Sequence, residues 1–506
     1  MKSNKRALFS TIYIGIYILS LISLGLIISI SLLHPRDNLF SGQMMIGVLI
    51  ITALYLLSFV IYEKVMDKWK WLARLSVLFV LLYGIGLYVL SCIGRNEPRS
   101  LVDYGIVWGS AWELAKNNQV VNETYFLKYS NNIKPMLILS LLLRIGFKLG
   151  MSDPFYFVLL FTVLQVLVAI WGVSVLAGET KYDLKLPILV MFVFCLPIWA
   201  TTQAFYTDAM SFSFSIVVLA LFYKIQHSDD RNRRLMLAIV AGILLAIGIN
   251  IKITVCIPLI AFFIVFFLVG RKGERKYYPI EFVAVGIGFF ATYFLIDRWA
   301  ESYEITRLAQ ETADPILAWI ALGLKGDGSF YQNREWVYQM QSLDSKAEKL
   351  AFCKEYICEN WKYLFDAKHL AQKVDINYAS GHLGNTDYTY YAMYDNNILW
   401  ELFAPYGRYY WRTSQFSFCY VHSIYVICFL GGALNLVRYI KRKTFSAWLM
   451  VIDLSILGYF VFLMLWEANN RQLYNLVPIL ITAALLHGYQ IVEWTKEYFS
   501  GKLKIK

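Results

Sequence analysis

Four charged residues stand beside long apolar runs, where charge is costly. Asp103 follows a run that ends near residue 93, and Asp208 closes Phe205-Tyr206-Thr207-Asp208 ahead of another. Lys252 lies in the tight turn Asn250-Ile251-Lys252-Ile253-Thr254 between two runs. Arg471 follows Trp466-Glu467-Ala468-Asn469-Asn470 and precedes Tyr474 and Pro478. Ionisable groups in such places mark sites or pathways. A carboxylate just above a bilayer, lifted by partial burial toward the operating pH, suits general-base work. Arg offers a bidentate fork and Lys a point charge to a lipid phosphate. The plain alternatives are a capping or solvated aspartate and cations that snorkel to the interface.

Two polar stretches add candidates. After Asp103, residues Trp108, Ala111, Trp112 and Ala115 recur at helical spacing, with Lys116-Asn117-Asn118 at the expected end. This is the pattern of a short amphipathic helix on the outer membrane face. The run from Tyr125 through Tyr129, Asn131, Asn132 and Lys134 to Pro135 then brings aromatics, amides and a cation to a helix N-terminus. Such a set can hold an anionic or sugar-bearing head group, with Lys134 as a further phosphate contact. Interfacial anchoring accounts equally well for the aromatics. Tyr206 joins the same group of sugar or acceptor contacts. Further along, Asn385 and Asp387 lie among Tyr388, Tyr390 and Tyr391. There the amide and carboxylate can bond sugar hydroxyls while a ring stacks on the sugar face, unless the stretch is simply a folded cap.

The elements that must position these residues follow from composition. The chain has 506 residues, of which 58% are hydrophobic, 17% aromatic and only 16% charged; mean hydropathy is +0.52. Soluble domains carry about a quarter charged residues, so a soluble enzyme is excluded, and so is disorder. The pattern is that of an all-α polytopic membrane protein with about 12 spans. The expected spans lie near 7–33, 43–63, 71–93, 155–177, 186–203, 206–226, 235–250, 253–270, 278–297, 418–438, 446–466 and 472–493. The first run is too long for a signal peptide and reads as an uncleaved span. The stretch 133–150 carries Lys134, Arg144 and Lys148 and reads as an interfacial or re-entrant helix. Seven scattered cysteines match no zinc or haem spacing.

A net charge of +12 resembles a nucleic-acid signature, yet its placement says otherwise. More than half of the 47 cations but only about a quarter of the 35 acids fall in the N-terminus, the tail and the short loops that parity places inside. No nucleic-acid partner is expected. With all basic clusters cytoplasmic, both termini lie inside, and the two large polar segments, 95–132 and 299–417, lie outside. The expected organisation is two N-terminal spans over 1–70, a core of about seven spans over 71–298, a mainly helical extracytoplasmic region over 299–417, and three spans with a basic tail over 418–506. The Gly-rich stretch 321–333 lacks the strand–helix context of a nucleotide loop. No Walker, Rossmann, HExxH or GxSxG motif is present.

In this order, Asp103, the Tyr-Phe…Tyr…Asn-Asn run at 125–132, Tyr206-Thr207-Asp208, Lys252, the Gly segment at 323–328 and Arg471 resemble the GT-C superfamily of polytopic glycosyltransferases. The similarity is to Gram-positive relatives of the protein mannosyltransferases, and it extends over about 71–493. It implies a polyprenyl-phosphate sugar donor, a catalytic Asp in the first outer loop, and inverting transfer on the extracytoplasmic face. The acceptor it implies is a glycan or wall polymer such as a teichoic acid or surface polysaccharide. Under this resemblance Asp103 is the base, Asp208 positions the sugar or orients a cation, and Lys252 and Arg471 hold the phosphate. Two departures stand out: no second acid adjoins Asp103, and Ser130 replaces an expected proline before the Asn pair. The first leaves a divalent cation an open option; no other cofactor is expected. The rival readings are a multi-span transporter or lipid-linked-sugar flippase, and a non-catalytic assembly protein.

Overall fold

Length and hydropathy alone account for the membrane portion. The computed structural model describes residues 2–36, 39–68, 70–95, 102–180, 184–269, 279–384 and 397–500. Three long helices open the chain: α1 (Lys2–Leu33), α2 (Ser41–Lys68) and α3 (Lys70–Ile93). A first polar insertion follows as α4 (Asp103–Asn117), α5 (Glu123–Lys128) and α6 (Ile133–Lys148). The central bundle is α7 (Phe155–Leu176), α8 (Lys185–Phe194), α9 (Leu196–Thr201), α10 (Thr207–Met210), α11 (Phe214–Gln226), α12 (Arg231–Ile251), α13 (Ile257–Val269) and α14 (Pro279–Glu301). The second insertion comprises α15 (Glu304–Thr312), α16 (Ile316–Gly323), α17 (Phe330–Gln341), α18 (Lys346–Asn360), α19 (Ala367–Tyr378) and α20 (Ile398–Phe403). Three helices close the chain: α21 (Tyr410–Arg442), α22 (Ala447–Leu465) and α23 (Val477–Phe499).

Among the described residues, ten helices are long and apolar enough to cross a membrane, and two shorter apolar helices, Lys185–Phe194 and Ile253–Leu268, join them. Together they fall at the twelve positions expected from hydropathy. The expected span at 186–203 is divided, because Cys195 leaves helical geometry and Pro197 lies in the first turn of α9; proline has no N–H to continue the ladder. The helix α6 has 16 residues, about 24 Å at 1.5 Å per residue, which falls short of a hydrocarbon core of about 30 Å. Its Arg144 instead donates to Leu114 O at 2.9 Å and Asn118 Oδ1 at 2.8 Å, closing the C-terminal end of α4.

The face of α4 that carries Tyr104, Val107, Trp108, Ala111 and Leu114 is buried. Trp108 meets Phe205 at 4.9 Å and Phe155 at 6.0 Å between ring centroids. The aromatics expected on a membrane surface therefore dock α4 onto the bundle, and its polar N-terminus is held over the ends of the spans. The second insertion has a small core of its own around Leu322, Trp336, Val337, Met340 and Cys353. The capping pair Ser345 and Glu348 starts α18.

Helix α12 packs closely on α14. A Cβ at Gly242 would fall on Val285 O and lie 2.8 Å from Phe289 N, and one at Gly288 would fall on Ile239 O. Small residues permit such approach where lipid supplies no hydrophobic drive. Gly242→Val is expected to cost about 1–3 kcal/mol by overpacking and to lower the melting temperature in detergent. Gly286→Val, with nothing within 4 Å of the new Cβ, should leave it unchanged.

Candidate active site

Asp208 forms the foundation of the site. It lies in the first turn of α10 with its side chain 0% exposed, and the Lys252 amine donates to its Oδ1. Lys252 is the extended residue (φ −154°, ψ 120°) where α12 ends and a short 3₁₀ turn begins; this kink sends the amine sideways into the bundle. Arg471 approaches the other carboxylate oxygen, with Nε 3.4 Å from Asp208 Oδ2. A buried charge persists only when it is paired, and here one carboxylate serves two cations. Asp208 thus contacts both Lys252 and Arg471.

Asp103 stands above this pair as the first residue of α4. The N-cap is Val102 and no side chain caps the helix, so the carboxylate is not used as a cap. Its Oδ2 lies 4.0 Å from Arg471 Nη1, and its side chain is 44% exposed. The Tyr206 hydroxyl reaches both Asp103 Oδ2 at 3.4 Å and Asn132 Oδ1 at 3.1 Å. Asn132 is buried and donates to the Tyr125 hydroxyl at 2.6 Å; Asn131 adjoins it. The Arg471 guanidinium also lies over the Tyr206 ring, 5.0 Å from its centroid. Asp103, Asn132, Tyr206, Asp208, Lys252 and Arg471 thus form one connected wall.

Tyr129 lines a second wall. Its ring stacks on Trp319 of α16 at 6.1 Å, and its hydroxyl accepts from Gln341 Nε2 at 3.0 Å. Gln341 also donates to Asp314 Oδ2 at 2.6 Å, and Asp314 pairs with the buried Lys349 at 3.2 Å. Burial is the main reason that the Tyr129 phenol is pushed up to about 12. It stays a neutral hydroxyl that can bond a sugar. Lys134, the third cation expected at a phosphate, has a carboxylate partner of its own. It pairs with Asp297 of α14 at 2.8 Å and lies over Tyr293, although it still borders the cavity. Asn385 and Asp387 lie outside the described residues.

Several contributors carried no recognisable sequence signal. Between α22 and the 3₁₀ turn Asn470–Leu476 that precedes α23, residues 466–469 form an irregular strap pinned at three positions. Trp466 O accepts from the buried Lys373 amine at 2.6 Å, Ala468 N donates to Gly328 O at 2.8 Å, and Asn469 N donates to Asn377 Oδ1 at 2.8 Å. The Gly-rich segment therefore docks this strap. Gly384, at φ +79°, passes so close to Arg471 that a Cβ there would lie 2.5 Å from its Cα. The strap presents Glu467 to the cavity. Burial pushes the Glu467 carboxyl up to about 7, although Arg471 pulls it down. Burial likewise draws the Lys373 amine down to about 7. The only sequence hint was the polar run after an apolar span.

These walls enclose a cavity of ≈ 1390 Å³, bordered by the strap, the N-terminal end of α4, the Tyr129–Lys134 turn, the Lys252 turn and the second insertion. That exceeds the 300–1,000 Å³ typical of small-molecule pockets and leaves room for two substrates. Asp103 and Glu467 are carboxylates that could contribute to cation binding. Among the described residues, no group of three or more His, Cys, Asp or Glu gathers as a metal-holding set.

Residues 1–491 match the family described as "Conserved hypothetical integral membrane protein". No curated protein matches the chain. Among solved structures it aligns with the oligosaccharyltransferase AglB from Archaeoglobus fulgidus, in complex with an inhibitory peptide and a dolichol-phosphate. That alignment has 13% identity and a TM-score of 0.38, and covers 86% of this chain and 52% of that one. It also aligns with ArnT from Cupriavidus metallidurans bound to undecaprenyl phosphate, at 13% identity and a TM-score of 0.35, covering 85% and 79%. The chain spans about half the length of the AglB chain.

Proposed function

Given that the chain belongs to this family of conserved integral membrane proteins, we propose that it is a glycosyltransferase that moves a sugar from a polyprenyl-phosphate carrier to an acceptor hydroxyl. The observation that carries this reading is the wall itself. An accessible carboxylate, Asp103, lies 4.0 Å from a guanidinium that is braced from behind by the buried Asp208. The carboxylate can take a proton, and the guanidinium can hold a phosphate, within one cavity.

In this scheme the donor phosphate rests against Arg471, with Lys252 behind it, and the lipid tail leaves between helices. Asp103 accepts the proton of the acceptor hydroxyl as its oxygen bonds to the sugar C1. The bond from C1 to the phosphate oxygen breaks, and Arg471 meets the charge that develops there. A single displacement of this kind inverts C1. Tyr206 and Asn132 orient the base, and Tyr129 with Trp319 offers the sugar an aromatic face. Asp208 acts through the cations as a positioning residue. The scheme routes no step through a metal ion and leaves a divalent cation as a second aid to the phosphate. The sequence resemblance supports an extracytoplasmic cavity, both termini in the cytoplasm, and a glycan or wall polymer such as a teichoic acid as acceptor.

Purified protein in proteoliposomes, supplied with radiolabelled undecaprenyl-phosphate sugars, should release or transfer the label. Arg471→Ala should reduce that rate about 10²–10³-fold, the scale for removing one oxyanion contact. Passage of intact lipid-linked sugar across the bilayer without cleavage would instead identify a flippase.

A further inference from the structure

The Tyr129 hydroxyl has a hydrogen-bond direction imposed on it from outside the cavity. Lys349 and Asp314 form a pair with side chains 4% and 3% exposed, the amine 3.2 Å from Asp314 Oδ1 and 2.6 Å from Thr312 O. A carboxylate in such a pair accepts hydrogen bonds and donates none. Gln341 must therefore turn its amide nitrogen, not its oxygen, to Asp314 Oδ2, which it meets at 2.6 Å. That nitrogen has two hydrogens, and the second goes to the Tyr129 hydroxyl oxygen at 3.0 Å. The hydroxyl is thus used as an acceptor, and its own proton remains to be given. Gln341 is its only hydrogen-bond partner among the described residues, and Tyr129 borders the cavity together with Asp103 and Trp319. The surroundings hold the relay in place. Asp314 N donates to Lys128 O at 2.9 Å, one residue before Tyr129, and the Tyr129 ring stacks on Trp319 with 25° between their planes.

We propose that Tyr129 reads the transferred sugar as a fixed hydrogen-bond donor, and that Gln341, Asp314 and Lys349 are positioning residues that set this polarity. The inference rests on the glycosyltransferase reading of the cavity. The sugar then presents a hydroxyl oxygen that accepts at this place, beside the aromatic face that Tyr129 and Trp319 offer it. A sugar without that oxygen leaves the phenol proton unsatisfied against a desolvated wall, and this is the origin of the discrimination. The relay runs in one sense only. The Lys349 ammonium fixes the Asp314 carboxylate as acceptor, the carboxylate fixes the Gln341 amide as donor, and the amide leaves the phenol to donate inward. Burial, by keeping the phenol neutral, keeps that proton in place through the physiological pH range.

The test uses the full chain in proteoliposomes with labelled undecaprenyl-phosphate glucose, galactose, mannose and N-acetylglucosamine. For the sugar that the wild type uses, the deoxy and deoxyfluoro analogues at each hydroxyl follow. Fluorine accepts a hydrogen bond weakly and cannot donate one; hydrogen does neither. Dividing the wild-type kcat/KM by that of Tyr129→Phe cancels the electronic effect of fluorine, because both proteins meet the same donor. For the parent sugar this ratio should be about tenfold, the scale of one hydrogen bond. At one sugar position it should stay above about threefold for the fluoro analogue and fall to unity for the deoxy analogue. The carboxyl introduced by Gln341→Glu has at most one proton, which goes to Asp314. The Tyr129 proton then turns to the new carboxyl oxygen and away from the cavity. That variant should show the Tyr129→Phe pattern with the phenol still present. A lower melting temperature with the wild-type pattern retained would overturn the positioning role of Gln341. A ratio of unity for fluoro and deoxy analogues alike would overturn the polarity, since the sugar would then be the donor. A ratio that no deoxy analogue changes, or no loss in Tyr129→Phe, would overturn the contact. A wild type that cleaves none of the labelled donors overturns the glycosyltransferase reading itself, a distinct result visible before any variant is made.

Discussion

Sugar transfer by the Asp103→Asn variant falls about 10²–10⁴-fold, the range lost when a positioned general base is removed, while donor binding and folding persist. Asn is nearly isosteric, and its carbonyl can still accept from the Tyr206 hydroxyl, which lies 3.4 Å from Asp103 Oδ2. What it loses is the capacity to take a proton. The stability cost should be small, within about 0.5 kcal/mol for a change at a solvated position, because the side chain is 44% exposed and its distance to Arg471 is 4.0 Å. Labelled-sugar transfer in proteoliposomes, alongside a melting curve of the same preparation, separates the two effects. Full transfer by the variant would remove Asp103 from the base role.

Asp208→Asn gives the opposite balance. Its carboxylate is buried between Lys252, whose side chain is 8% exposed, and Arg471, whose side chain is 19% exposed. Removing one member of a buried ionic set costs about 3–5 kcal/mol, since two cations are left facing each other without the negative charge between them. A large fall in melting temperature is therefore expected. A phosphate supplies the missing charge, so farnesyl phosphate should raise the melting temperature of Asp208→Asn by more than it raises that of the wild type. A substrate-contacting Asp208 predicts the reverse: wild-type stability with weakened donor affinity. Thermal melts of both proteins over a series of farnesyl phosphate concentrations distinguish the two.

The sites of these two substitutions differ in how visible they were in the sequence. Asp103 could be found because it stands in a polar stretch just beyond an apolar run and ahead of a helical Trp pattern. Asp208, Lys252 and Arg471 could be found because charge at a span end conflicts with the local hydropathy. The Asn pair and Tyr125 are legible as a polar group at a helix start; of these, Asn132 links Tyr125 to Tyr206. Lys134 looked equivalent to the other cations, yet Asp297, far away in sequence, claims its amine. Glu467 and Lys373 offered no pattern, because their properties arise from burial and from a contact between residues 93 positions apart.

The sequence by itself determined the membrane-spanning class, the places of the twelve apolar segments and the positions where charge intrudes on them. Those are local properties, since the length of an apolar run is read along the chain and a bilayer responds to it directly. Only the tertiary structure decided which charges meet. Asp208 became the shared counter-ion of two cations, Lys134 was drawn to α14, and a strap held by α19 brought Glu467 to the cavity. Pair energies and desolvation depend on distances in space, and these distances are set by the packing of helices, which sequence separation does not encode.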